Sequence, residues 1–165
     1  MSNQVPRLMP QAEFLARVEG CQQRIRELSN NISSISALHQ RMLSETDSSA
    51  TSQQLEQLVS KTSVLNTSIK DEIRKLETDA ARDRGNKVKS SQVRQLKEAF
   101  QTQLQNYEDI ERNYRQRYRE QIKRQYKIVN PEATEDEVNQ VADADWSNEG
   151  VFQTAVSHVT LSNNC

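Results

Sequence analysis

The sequence predicts an all-α fold: an up-down-up antiparallel three-helix bundle, then a short extra C-terminal helix and a flexible tail. Three observations carry that prediction. Only three glycines and three prolines occur in 165 residues, too few breakers for many short strands and turns. Apolar residues recur at alternating steps of four and three over long stretches, the seam of a helix packed on helices at a shallow angle. Polar, turn-forming segments separate those stretches.

The first stripe runs from about Gln11 to Leu43 through Phe14, Val18, Cys21, Ile25, Leu28, Ile32 and Ile35, with His39 and Met42 continuing it. A strand would need period two, which is not sustained here. The linker SETDSSATS follows, and Thr51 or Ser52 can cap the next helix. The second stripe reads Leu55, Leu58, Thr62, Leu65, Ile69, Ile73, Leu76 and Ala80. Its spacing slips at Glu72/Ile73, read as a local register shift. Thr62 can hydrogen-bond back along its own helix. Gly85 supplies the left-handed residue of a helix end.

The third helix starts between Asn86 and Gln92 and reaches about Val129, with a seam of Val93, Leu96, Phe100, Leu104 or Gln103, Tyr107, Ile110 and Tyr114, then Tyr118, Ile122 and Tyr126. It should outrun the first two helices. Pro131 stops it. Thr134-Glu135-Asp136-Glu137 matches a capping box, so a helix of about two turns should begin near Glu135. Three amphipathic helices with short links bury their stripes most economically against one another, which gives the bundle. The chain divides into a disordered segment over 1–10, a bundle over 11–129, and a short helix with a linker or tail over 130–165.

The composition excludes several classes. Hydrophobic residues make up 34% and the net charge is −1, the former below the usual ~45–50% of a globular chain, a figure that counts Gly as well. No apolar run approaches the ~18 residues of a membrane span, and MSNQVPRLMP lacks the apolar core of a secretion signal. Cys21 and Cys165 make no disulfide framework, and Cys21 reads as a small core residue. The sequons at Asn31 and Asn66 read as helix-surface residues. His39 reads as a structural histidine, with no partner at zinc spacing. No phosphate loop or nucleophile constellation is evident, so no cofactor, metal or catalytic residue is expected.

Charge is unevenly placed. Arg112, Arg115, Arg117, Arg119, Lys123, Arg124 and Lys127 crowd the end of the third helix, and no Lys or Arg follows them. Glu132, Glu135, Asp136, Glu137, Asp143, Asp145 and Glu149 follow instead. The two segments could fold onto each other, meet different partners, or simply be two solvated surfaces. Tyrosines among the arginines could stack on single-stranded nucleic acid, but the balanced charge, with Glu111 and Glu120 interrupting the run, argues against a nucleic-acid partner. Acidic membrane lipid is the better match for the basic end. Trp146 could anchor a partner or dock on its own bundle.

Against this background a family resemblance emerges. Phe14-Leu15, Ile25 and His39-Gln40-Arg41-Met42-Leu43 resemble the first helix of the syntaxin amino-terminal domain, and Leu55-Glu56-Gln57-Leu58 with Ser68-Ile69-Lys70 resemble the second. The most specific match is Asn113-Tyr114-Arg115-Gln116-Arg117-Tyr118, then Gln121 through Val129, Asn130 through Val138, and Val151-Phe152-Gln153. The resemblance covers roughly residues 12 to 156 and is to plasma-membrane-type syntaxins, especially fungal ones.

That resemblance implies a regulatory three-helix (Habc) domain of a t-SNARE in vesicle fusion. It implies binding to the chain's own or a cognate SNARE motif in a closed state, and to SM-family chaperones. It places the usual docking surface in the groove between helices two and three, assigned here to Thr62, Leu65, Ile69, Tyr107, Tyr114, Arg115, Arg117 and Gln121. It implies residence on the cytoplasmic face of a membrane, the plasma membrane, through a C-terminal anchor. These 165 residues carry neither the SNARE motif nor the anchor, so the expectation is a soluble, monomeric piece of a longer protein or a shortened product. The alternative, a spectrin-like or membrane-binding helical scaffold, predicts elongated dimers or a lipid-binding face instead.

Overall fold

In a computed structural model, residues 7–144 are described. They form helices α1 (Gln11–Ser44), α2 (Ser49–Arg82) and α3 (Lys87–Val129), and a further helical stretch over 135–144, here α4. Expectations about residues 1–6, Trp146, Val151-Phe152-Gln153, His158 and Cys165 lie outside the described residues.

Cross-helix contacts fix the topology. Arg17 and Arg24 of α1 reach Glu72 and Ser68 of α2, numbers running in opposite senses, so these helices are antiparallel. Asp79 and Glu77 of α2 reach Lys89 and Lys97 of α3 in the same opposed order. Gln11 meets Asn86, and His39 meets Glu111, so α1 and α3 run together. This is the expected up-down-up bundle.

The α1 seam holds: Phe14, Val18, Cys21, Ile25, Leu28, Ile32 and Ile35 are buried, and His39 joins them beside Leu38. Burial pushes the Cys21 thiol up to about 11, which leaves it an inert apolar group at neutral pH.

The α2 seam differs from the expectation. Apart from Thr51 and Asp79, the buried residues are Leu55, Val59, Thr62, Asn66, Ile69, Ile73, Leu76 and Ala80. Their steps are four, three, four, three, four, three and four, so no register slip exists. Leu58 and Leu65 are only partly buried against the core. Leu65, Ser68 and Glu72 form one stripe, and the last two of these meet α1. Greater hydrophobicity drew the expected seam onto that flank. Asn66 is thereby an interior residue, 3% exposed, not a surface one. Thr62 does donate back to the Leu58 carbonyl.

Turn chemistry also shifts one assignment. Helix α2 begins at Ser49, where Asp47 accepts from both the Ser49 amide and hydroxyl. Thr51 is buried and donates to Glu45 across the linker, so it caps nothing. At the other turn Gly85 takes φ 87°, and the Asn86 side chain accepts from the Lys89 amide to cap α3.

On α3 the buried set is Lys89, Val93, Leu96, Phe100, Leu104, Tyr107, Glu111 and Tyr114. Glu111, not Ile110, holds the seam position, because its carboxylate has a buried partner. Helix α3 has 43 residues against 34 in each of α1 and α2, an excess of about 14 Å. The capping box forms as expected: the Glu137 amide donates to Thr134 Oγ1, and the Thr134 amide to Glu137 Oε2. Helix α4 runs nearly three turns rather than two, buries Val138 and Ala142, and is tied to α3 by an Arg119–Asp143 ion pair. The basic and acidic segments therefore do meet at this point.

Candidate partner-binding surfaces

Both ends of the bundle interior are polar. At one end Lys89, 1% exposed, donates to Asp79 at 2.7 Å, to Asp83 at 3.0 Å and to the Met9 carbonyl at 2.7 Å. Its ammonium also lies 5.1 Å from the centre of the Phe14 ring. Three acceptors satisfy its three donors. Asp79 accepts from the Met9 amide at 2.8 Å as well. Burial alone would raise the Asp79 carboxyl, but the bonds from Lys89 and Met9 outweigh it and hold it low. Burial alone would lower Lys89, and its two aspartates outweigh that in turn. Met9, expected in a disordered segment, is thus bound through both its amide and its carbonyl.

At the other end His39 Nε2 lies 2.8 Å from Glu111 Oε1, and its ring stacks on Tyr114 at 4.0 Å. This cluster joins α1 to α3 where α3 begins to overhang. Between the two ends, Arg17 makes a two-bond contact with Glu72 at 2.7 and 3.0 Å. The hydrogen bond from Arg17 holds the Glu72 carboxyl low.

The sequence signals for these clusters were charged or imidazole groups at seam positions. Lys89 stands four before Val93, Glu111 four after Tyr107, and His39 four after Ile35. Among the described residues no group of three or more His, Cys, Asp or Glu could hold a metal. No helix among them is long and apolar enough to cross a membrane.

The eight residues assigned to one groove do not share one. Thr62, Ile69, Tyr107 and Tyr114 are in the interior, where they hold the bundle together. Leu65 lies on the stripe of α2 that faces α1. Arg115 and Arg117 sit about 200° apart round α3. Arg115 comes five full turns after Lys97, which pairs with Glu77 of α2, so it marks the α2 flank. Gln121 instead donates to the Leu43 carbonyl at the end of α1, and Arg117 lines the same hollow. The correction has a simple cause: a list of apolar and basic residues carries no helical angle until a cross-helix contact fixes it.

One candidate surface among the described residues is the α2–α3 flank, bridged by the Glu77–Lys97 ion pair and reaching Arg115, one turn before the Arg119 that α4 binds. Another is a groove of about 730 Å³ between the end of α1 and the overhang of α3, lined by Leu43, Asn113, Gln116, Arg117, Glu120, Gln121, Arg124, Gln125 and Ile128.

Known proteins resemble this chain in sequence and fold. A family model described as Syntaxin matches residues 11–156. The syntaxin-like protein psy1 of Schizosaccharomyces pombe is 34% identical over 131 residues, 76% of this chain and 46% of that protein. Protein SSO1 of Saccharomyces cerevisiae is 29% identical over 146 residues, 87% of this chain and 49% of that protein. The chain thus spans about half the length of the curated relatives it matches. A chain in the crystal structure of the Unc18–syntaxin 1 complex from Monosiga brevicollis superposes with a TM-score of 0.75 at 20% identity, covering 98% of this chain and 80% of that one.

Proposed function

The chain belongs to the syntaxin family, and on that premise we propose that it is the regulatory amino-terminal bundle of a t-SNARE in vesicle fusion. Its role is to bind helices, not to catalyse. It holds the SNARE motif of its own or a cognate chain in a closed state, and it binds an SM-family protein. The observation that carries this reading is the family match over residues 11–156, which takes in the whole three-helix bundle. A shallow groove between two helices accepts a third amphipathic helix, and occupying it shifts a closed–open equilibrium by the difference in affinity. The solved relative is itself in complex with Unc18, which supports an SM partner here. The family match displaces the spectrin-like alternative.

The cytoplasmic face of the plasma membrane, reached through a C-terminal anchor, is the location this role requires. A second reading concerns lipid. Lys123 and Lys127 lie near Val129, which is 85% exposed. Cations next to bare apolar side chains suit an acidic membrane surface.

The deciding experiment titrates the isotope-labelled chain with a peptide of a cognate SNARE motif. Shift changes centred on Lys97 and Arg115, weakened by Arg115→Glu without change in the melt, are expected. Absence of binding to both the SNARE-motif peptide and an SM protein would overturn the reading. Cosedimentation with phosphatidylserine vesicles tests the lipid contact separately.

A further inference from the structure

The groove at the end of α1 lies on the opposite side of α3 from the flank used above. Arg117, Gln121, Arg124 and Ile128 follow one another at steps of four, three and four, so they share one face of α3 over about 16 Å. That face is not the one α4 covers: Arg119, which binds Asp143, points about 160° away from Arg117. Leu43 closes the groove from α1, and Gln121 bridges to the Leu43 carbonyl at 3.2 Å. The groove therefore has an apolar side chain near its middle, Leu43 beside Gln121, and another at one end, Ile128. No carboxylate among the described residues pairs with Arg117 or Arg124, although Glu120 lines the same groove.

We propose that this groove docks an acidic amphipathic helix of a partner protein, beyond and separate from the SNARE-motif site. The chemistry sets the partner's pattern. Arg117 and Arg124 are two turns apart, so the partner carries carboxylates about 10 Å apart on one face. Glu120 lies between them and repels a third carboxylate there. An apolar side chain between the acidic positions covers Leu43, and a second one, a turn beyond the carboxylate that meets Arg124, covers Ile128. Concavity selects a helix over a bilayer, because a flat lipid surface cannot reach Leu43 and Gln121 inside the hollow.

The test uses the full chain, isotope-labelled, and a capped synthetic helix with glutamates two turns apart, a leucine between them and another one turn beyond. Saturable shifts at Leu43, Arg117, Gln121, Arg124 and Ile128 are expected. The double variant Arg117→Glu/Arg124→Glu should weaken binding at least about tenfold, with an unchanged melt because both residues are on the surface. The same peptide with glutamine for glutamate should bind weakly. No saturable shifts at these residues, or equal binding by the double variant, overturns the proposal. Shifts produced by phosphatidylserine vesicles and not by the peptide overturn it in favour of lipid. The SNARE-motif titration, read at Lys97 and Arg115, stays independent of either result.

Discussion

Lys89 and Asp79 form a buried ion pair at 2.7 Å, and both also hold Met9, one through its carbonyl and the other through its amide. The pair joins α2 to α3 and fixes the chain just before α1. A buried pair adds little net stability while intact, but losing one partner strands the other.

Lys89→Met should therefore cost about 3–5 kcal/mol in a denaturant melt, because Asp79 would remain buried and uncompensated. Lys89→Met/Asp79→Leu should recover much of that loss. Hydrogen exchange at the Met9 amide should accelerate in both variants. A single variant as stable as the parent would show that the pair is not buried in solution.

The corrected α2 seam yields a second prediction. Ile69 is wholly buried, whereas Leu65 lies partly exposed on the flank toward α1. Ile69→Ala should cost about 2–5 kcal/mol, and Leu65→Ala less than half of the Ile69 value. Equal costs in paired urea melts would restore the seam read from the sequence.

How far the sequence spoke follows from this contrast. Periodicity placed α1 and α3 and located both turns, because Phe14 to Ile35 and Val93 to Tyr107 are apolar at nearly every inward position. It misplaced the middle of α2, where the inward residue is Asn66 and an outer neighbour is Leu65. Hydrophobicity ranks residues, but packing selects an angle. The same blindness spread one candidate groove over three faces of the bundle. Arg115 and Arg117 are neighbours in sequence and nearly opposed in space. The clusters at Lys89 and His39 were partly legible, since each breaks an apolar seam with a polar group. Their partners, Asp79 and Glu111, come from other helices and need the folded register.

Asn66 gives the third prediction. Its Oδ1 is buried with no donor within hydrogen-bonding distance. An unsatisfied buried acceptor costs roughly 1–3 kcal/mol. Asn66→Leu should raise the urea midpoint, worth about 1 kcal/mol or more, with an unchanged m-value. A polar residue on a helical seam can also specify register. A variant that gains stability but loses dispersion in its amide spectrum would assign Asn66 that role. A variant that loses stability would show that its amide is fully bonded.

Stability should depend on pH in a direction set by the pairs themselves. Glu72 and Asp79 are held below their ordinary values of 4.5 and 3.8 by Arg17 and Lys89. A carboxyl depressed in the fold binds fewer protons there than in the unfolded chain. Its contribution is present above the unfolded value and is lost as pH falls through the folded one. Unfolding free energy should therefore drop as pH falls below about 4.5. Lys89 is raised above 10.5, so its contribution is complete below that value and is lost as pH climbs past it. In the double variant Lys89→Met/Asp79→Leu, the alkaline loss should shrink, and the acid loss should lose the Asp79 part and keep the Glu72 part. Urea melts from acid to alkali on parent and variant check both limbs. Parallel curves at every pH would mean that the Lys89–Asp79 pair does not titrate with folding.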